Sequence, residues 1–149
     1  METKKKTFIF NGLGFPVELI DCPMKKVIGE WVIDVDLNAL QILVFKGLIH
    51  KPSPLTGREL RFMRKFMDLT TEEFGKKLGV THASVIQWEK KSNPLAPVYE
   101  VYIRMLFFEM IKDKEINTIF KEINPQKLSE TKHSQEPMSL NATELLKTA

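Results

Sequence analysis

The chain has 149 residues, a formal net charge of +3 at pH 7, 43% hydrophobic residues and 28% charged residues. This composition is typical of a globular protein whose mild positive charge permits a polyanionic partner, and the single cysteine, Cys22, excludes an internal disulfide and a cysteine-based zinc site. Because the apolar run at residues 39–45 is too short to span a bilayer and no signal-peptide core follows the lysines at 4–6, we expect a cytoplasmic protein with no membrane partner.

Three short segments near the N-terminus have the residue pattern of β-strands. Residues 7–10, 17–20 and 27–35 are rich in β-branched and aromatic side chains, and turn-forming residues separate the first two. Residues 21–23 are predicted to break the pattern, and the charged residues 1–6 are expected to fray. Three short strands form only a small sheet, which needs a covering element to be stable.

The next segment is predicted to be the helix that covers this sheet. Asp36 can cap it, and it should run to about Leu48 with an apolar stripe at helical spacing, formed by Leu37, Leu40, Val44 and Leu48. Residues 51–54 contain two prolines, and each disfavours helix at the residue before it, so we expect a linker there. The expected fold class is α+β: a small N-terminal β-sheet plus helix module, residues 1–51, followed by an all-α domain, residues 55–123.

The first helix predicted for the second domain carries a charge on its apolar side. Thr56 is a candidate N-cap, and the helix should run to about Met67. Arg64 falls on the apolar stripe, where a charge needs a partner, so we predict that Arg64 pairs with Glu89. Arg61 lies on the more open side, where a solvated charge and a DNA phosphate contact are equally good interpretations.

The middle of the chain has the pattern of a helix-turn-helix. The first helix begins at Thr70, with a glutamate at capping-box spacing, and Gly79 can take the left-handed conformation that ends it. Gly75 is expected to permit a close helix crossing, and Thr81 can cap the second helix through its hydroxyl. Units of this kind place the second helix in the major groove of DNA.

One face of that second helix is expected to point outward. If Val85 and Trp88 face the core, helical spacing leaves the opposite face to His82, Ala83, Ile86, Gln87 and Lys90. A glutamine can bridge adenine N6 and N7, small or apolar groups can contact a thymine methyl, and a lysine can reach a phosphate. An ordinary solvated face is the alternative. Lys91 follows in a basic loop, where it is either solvated or a phosphate contact.

A long apolar helix and a polar tail complete the chain. Pro97 opens a helix that is apolar almost all round as far as Met110, which exceeds what a single small domain can bury. We expect a homodimer interface on its free side, with packing against the N-terminal module as the alternative. Residues 115–123 are a candidate short helix, and residues 124–149 are expected to be a disordered tail with a nascent helix near 143–146.

Residues 55–89 resemble the Cro/cI-type (Xre-family) helix-turn-helix domain. The resemblance depends on a Leu-Thr-x-x-Glu opening, a small residue at Gly75, Gly79-Val80 at the turn, and Val85 with Trp88-Glu89. It implies a lambda-repressor-like domain, a two-fold homodimer and a palindromic operator in double-stranded DNA, read by the face at 81–83, 86 and 87. Thr71 stands where this family commonly has glutamine. The DNA-binding set expected from the pattern and the resemblance is Thr71, Thr81, His82, Ala83, Ser84, Ile86, Gln87, Lys90, Lys91 and Arg61.

The Leu-Thr-Gly opening at residue 55 and the small module before it are similar to MqsA-type antitoxins and related transcriptional regulators. That group has a cysteine-rich zinc module, whereas this chain has only Cys22 there, so we expect no metal, no cofactor, and either a zinc-free variant or a different sensor. We expect a sequence-specific transcriptional regulator, with repression as its mode. The alternative is an antitoxin whose N-terminal module binds a toxin. His50, His82 and His133 are scattered and form no catalytic motif, so an enzyme is not expected.

Overall fold

The computed structural model describes residues 2–92, 95–111 and 137–142. Their architecture is α+β, as the sequence predicted, with a small mixed sheet and five helices. They group into two compact units: the residues up to Val44 with those from Pro137 onward, and the residues between Phe45 and Glu136. In chain order the elements are β1 (Thr3–Phe10), β2 (Val17–Val27), β3 (Glu30–Ile33), α1 (Leu37–Ile49), α2 (Gly57–Phe66), α3 (Thr71–Leu78), α4 (His82–Lys90), α5 (Pro97–Met110) and β4 (Met138–Asn141).

The central strand of the first unit is β2. Strands β1 and β3 pair with it in antiparallel orientation, and β4 pairs with it in parallel. The predicted break at residues 21–23 is wrong, because β2 continues past Pro23. The register with β1 shifts between Lys6 and Phe8, and Asp21 has a φ of 52°. A β-bulge therefore absorbs the irregularity without ending the strand.

The segment predicted as a third strand, residues 27–35, contains a turn. Ile28 and Gly29 have φ values of 49° and 79°. They form a two-residue hairpin loop between β2 and β3, with Val27 opposite Glu30. Positive φ at both loop residues is the property of a type I′ turn, for which Asn-Gly is the usual sequence. The β-branched Ile28 gave this position a strand signal, which explains why the turn was not predicted.

Two segments expected to lack structure form strands. Residues 3–6, which were expected to fray, are the first half of β1. Within the predicted disordered tail, Met138–Asn141 form β4, whose register starts with Met138 opposite Val17. This pairing joins residues more than a hundred positions apart, so local sequence patterns carry no signal for it. The predicted helix at 115–123 and the tail residues 124–136 and 143–149 lie outside the described residues.

Helix α1 begins where the sequence predicted. The Asp36 carboxylate accepts hydrogen bonds from two amides of the first turn, at 2.9 and 3.3 Å. Leu40 and Val44 are fully buried, whereas Leu37 is 53% exposed. The division between the two compact units falls within this helix, and the domain boundary drawn from sequence at residues 51–54 stays a prediction.

The second unit is built around stacked aromatic rings. Phe45 stacks on Phe66 with ring centroids 4.6 Å apart, and it meets Phe107 edge-on at 5.5 Å. Phe107 stacks in turn on Phe74 of α3 at 5.4 Å. Further fully buried side chains come from α2, α4 and α5, namely Leu60, Met63, Val85 and Ile103. Helices α2 to α5 therefore share one hydrophobic core.

Residues 51–54, predicted as a linker, are held by buried charges. The Lys51 ammonium lies 2.7 Å from the Glu59 carboxylate. Arg104 of α5 is fully buried, pairs with Glu100 at 3.0 Å, and donates to backbone carbonyls at positions 49, 51 and 53. Burial raises the pKa of the Glu100 carboxyl, and the Arg104 guanidinium opposes that shift. Because each buried charge has an opposite partner, the network fixes this segment to α2 and α5.

Candidate nucleic-acid interface

Helices α3 and α4 are each capped as the sequence predicted. The Thr70 hydroxyl accepts from the Glu73 amide at 3.1 Å, and the Glu73 carboxylate accepts from the Thr70 amide at 3.1 Å, which completes a capping box. The hydrogen bond from the Thr70 amide, with that of its hydroxyl, holds the pKa of Glu73 below its ordinary value. At α4, the Thr81 hydroxyl accepts from the Ser84 amide at 3.2 Å. Both helix starts are therefore fixed by local side-chain contacts.

The turn between the two helices depends on two glycines. Gly79 ends α3 in the left-handed conformation, with a φ of 71°, and the Val80 amide donates to the Gly75 carbonyl at 2.9 Å. A Cβ on Gly75 would lie 2.7 Å from the Val80 carbonyl oxygen. The small residue at 75 is thus required where α3 approaches the backbone of the turn and of Thr81, the N-cap of α4.

The C-terminal half of α4 is anchored to α2 by the ion pair that the sequence predicted. The Arg64 Nε and one terminal nitrogen donate to the two carboxylate oxygens of Glu89, at 2.6 and 3.0 Å. The other terminal nitrogen donates to the Leu69 carbonyl at 2.8 Å. The side chains of Arg64 and Glu89 are only 10% and 8% exposed. A bidentate pair of this kind restricts orientation as well as distance.

A second contact between α2 and the end of α4 was missed by the sequence analysis. The Gly57 amide, at the first position of α2, donates to the Lys91 carbonyl at 2.9 Å. A Cβ on Gly57 would lie 2.5 Å from the carbonyl oxygens of both Lys91 and Trp88. The backbones approach so closely that only glycine fits. A glycine directly after an N-cap threonine was the available signal, but a helix start tolerates glycine without any such contact.

The face of α4 that the sequence placed outward is exposed. Val85 is fully buried, whereas the opposite side of the helix is solvent-accessible at His82, Ala83, Ile86, Gln87 and Lys90. We call these five residues the outer face of α4. Ile86, an apolar residue, is 38% exposed. The helix has one carboxylate, Glu89, and it is bound to Arg64, so the outer face itself carries no acidic group.

The other predicted DNA-binding residues surround this face in different ways. Thr81 and Ser84 are joined in the N-terminal cap of α4, where their hydroxyl oxygens lie 3.1 Å apart. Lys91 is exposed directly after α4, and Arg61 is exposed on α2. Thr71 is the first residue of α3 and is half-buried. The fold therefore brings eight of the ten residues together on α4 and its caps and places the other two on neighbouring helices.

Aromatic packing supports α4 from the side of α5. The rings of Trp88 and Tyr99 have centroids 5.4 Å apart. Trp88 is half-buried, as its position beside the core-facing Val85 requires. The helix is thus held by α2 at its C-terminal end, by the glycine turn at its N-terminal end and by α5 at its side, while its outer face is left accessible.

Comparison with known proteins gives no relative for this chain: no family model, curated protein or solved structure matches it.

In the residues that the structure describes, there is no group of three or more histidine, cysteine or acidic side chains that could hold a metal ion. Burial raises the pKa of the Cys22 thiol. None of the described helices is long and apolar enough to cross a membrane.

Proposed function

We propose that this protein is a sequence-specific DNA-binding regulator that inserts α4 into the major groove. The observation that carries the proposal is the outer face of α4, which is exposed, free of carboxylates and presented by a helix fixed at both ends. A major groove about 12 Å wide admits one α-helix, and recognition requires that the helix be held in a defined orientation. The Arg64–Glu89 pair and the Gly57–Lys91 contact supply that constraint.

Each residue of the face is assigned a role by its chemistry. Gln87 is the base reader, because its amide can donate to N7 and accept from N6–H of adenine through one bidentate contact. Ala83 and Ile86 are suited to contact a thymine methyl, and His82 offers a ring nitrogen to a base edge or phosphate. We assign Thr81 and Ser84 to positioning, because the helix cap already uses both hydroxyls.

The cations around the face are assigned to the phosphates. Lys90 and Lys91 follow the reading residues at the end of α4, and Arg61 is exposed on the adjacent helix α2. The Thr71 side chain, at the start of α3, can donate to a phosphate where backbone amides also point outward. Such contacts set the register of the protein on the duplex without reading its sequence.

The protein is proposed to act as a homodimer through α5. Val98 and Tyr102, four residues apart on that helix, are 69% and 50% exposed, and Tyr99 beside them is 39% exposed. A second copy related by a two-fold axis would cover this apolar face and present two α4 helices to a palindromic site. Light scattering should give twice the chain mass for the wild type, and the Val98→Asp variant should give the mass of one chain.

The test of the function is selection from a random DNA duplex library at two salt concentrations. We expect enrichment of a two-fold symmetric motif with half-sites about one helical turn apart. Enrichment of no motif at either salt concentration would overturn the proposal, because a base-reading helix must discriminate between sequences. A matched selection with Gly57→Ala, which disturbs the α2–α4 contact without touching the outer face, reports whether the fixed helix is required.

A further inference from the structure

The first unit carries a basic cluster that the outer face of α4 does not use. Lys4 and Lys6 lie on β1, Lys26 on β2 and Trp31 on β3. The Lys4 ammonium lies 4.0 Å from the centroid of the Trp31 ring, and the Lys26 ammonium lies 5.9 Å from it. We call these four residues the lysine–tryptophan cluster.

Strand register places the cluster on one face of the sheet. Lys4 lies opposite Met24, and two residues further along β2, Lys26 lies opposite Trp31. Directly opposed residues, and residues two apart along a strand, share a face. Lys6 follows Lys4 by two residues and so belongs to the same face. Cations from β1 and β2 therefore share one face of the sheet with Trp31 of β3.

The charge of this surface is poorly balanced within the described residues. Glu2 lies 3.7 Å from Lys26, but its side chain is 70% exposed. No carboxylate of the described residues lies within 4.0 Å of the Lys4 or Lys6 ammonium. Two like charges drawn to one indole repel each other, and an anion bound between them would relieve that repulsion.

Protection of an edge strand does not account for the arrangement. Lysines on an outer strand such as β1 discourage pairing with another chain, which gives Lys4 and Lys6 a purely structural explanation. That explanation does not extend to Lys26, which lies on the central strand β2 and points to the same ring as Lys4. The convergence of cations from an edge strand and a central strand on Trp31 is the feature that indicates a ligand.

We propose that the lysine–tryptophan cluster binds the phosphate backbone of DNA, as a contact separate from the recognition helix; the inference rests on the proposed function. Lysine ammonium groups at an exposed surface are suited to phosphates, and Trp31 holds two of them in place through its ring face. A second contact on the same chain raises affinity without new base contacts, because the first contact makes its binding intramolecular.

The test compares two charge-matched double variants of the full chain on the DNA selected by the wild type. Lys4→Gln/Lys26→Gln removes two cations of the cluster, and Lys5→Gln/Lys25→Gln removes two cations from the opposite face of the same two strands. Affinity is measured from 50 to 200 mM salt, with circular dichroism as the control for folding. Lys4→Arg/Lys26→Arg keeps the charge and the ring contacts and should behave as the wild type.

Each phosphate contact contributes about 0.9 to the slope of log affinity against log salt, so loss of two contacts in each chain of the dimer should lower the slope by about 3.6. Between 50 and 200 mM salt, the affinity of Lys4→Gln/Lys26→Gln should therefore fall about 150-fold less than the affinity of the wild type. The control double variant should keep the wild-type slope. Equal slopes for Lys4→Gln/Lys26→Gln and Lys5→Gln/Lys25→Gln would overturn this inference alone. Failure of the wild type to bind any duplex would overturn the proposed function and this inference with it.

A vesicle arm separates DNA from a lipid surface. Vesicles of phosphatidylserine and phosphatidylcholine are sedimented with the wild type, with Lys4→Gln/Lys26→Gln and with Lys5→Gln/Lys25→Gln. No difference between the variants in this assay, together with the slope change on DNA, is the expected result. Loss of vesicle binding confined to Lys4→Gln/Lys26→Gln, with the DNA slope unchanged, would overturn the proposal in favour of an anionic membrane.

Discussion

Replacing Arg64 by methionine removes the anchor between α2 and α4 while keeping the apolar stem that packs beneath it. The substitution deletes two hydrogen bonds to Glu89, at 2.6 and 3.0 Å, and one to the Leu69 carbonyl, at 2.8 Å. It also leaves the Glu89 carboxylate, 8% exposed, without its partner. A charged hydrogen bond contributes about 1.5–3 kcal/mol.

These terms set the expected magnitude. Loss of one partner of a buried ion pair lowers the free energy of unfolding by about 3–5 kcal/mol, since the remaining charge stays desolvated. The double variant Arg64→Met/Glu89→Met removes both charges. Its free energy of unfolding should fall much less, because apolar replacement of a whole buried pair is often nearly neutral. Urea unfolding followed by tryptophan fluorescence measures the wild type and both variants. A loss below about 1 kcal/mol for Arg64→Met, the value of an exposed pair, would refute the reasoning.

Three further variants test other parts of the structure. Gly57→Ala should lower the free energy of unfolding by about 1–3 kcal/mol, because the added Cβ meets the Lys91 carbonyl oxygen; a stabilised variant, the usual effect of alanine in a helix, would contradict the close contact. Ile28→Asn should raise the free energy of unfolding by about 1 kcal/mol, because Ile28 has a φ of 49°, which asparagine tolerates better, and is 98% exposed. An unchanged midpoint of urea unfolding would count against a strained turn. Glu73→Gln should keep the cap but lose its charge. The lowered pKa of Glu73 stabilises the fold above the ordinary value of 4.5 and ceases to do so as pH falls through the lowered pKa, so the stability difference between wild type and Glu73→Gln should vanish in acid, and a difference independent of pH would be inconsistent with this.

The parts of the fold that the sequence predicted are those set by neighbouring residues. The caps at Thr56, Thr70 and Thr81 each use a contact three residues away, and Gly79 ends α3 through its own backbone preference. The Arg64–Glu89 pair spans 25 positions, yet it was predictable because a charge on an apolar stripe demands a partner. Helix caps and the need of a buried charge for a partner can both be read from one amino-acid sequence.

The parts that were missed depend on distant residues. Nothing near residues 138–141 indicates a strand, because β4 is stabilised by its pairing with Val17 and its neighbours on β2. The prolines at 52 and 54 gave a linker signal, whereas the sequence sign of the buried network on α5 is only the pair Glu100 and Arg104, four apart on a mostly apolar helix. In the candidate site, the exposure of the outer face followed from helical spacing, but the Gly57–Lys91 contact did not.

The most direct test of base reading is the Gln87→Ala variant, measured on the selected operator and on operators changed at single positions. Loss of a bidentate contact should weaken operator binding by about 1–3 kcal/mol for each half-site and relax the preference at one base pair in each half-site. Lys90→Ala is the matched control from the same face, and it should weaken all sequences alike and lower the salt slope by about 2, one phosphate contact for each chain of the dimer. If Gln87→Ala keeps both the affinity and the full base preference of the wild type, the outer face of α4 does not read DNA as proposed.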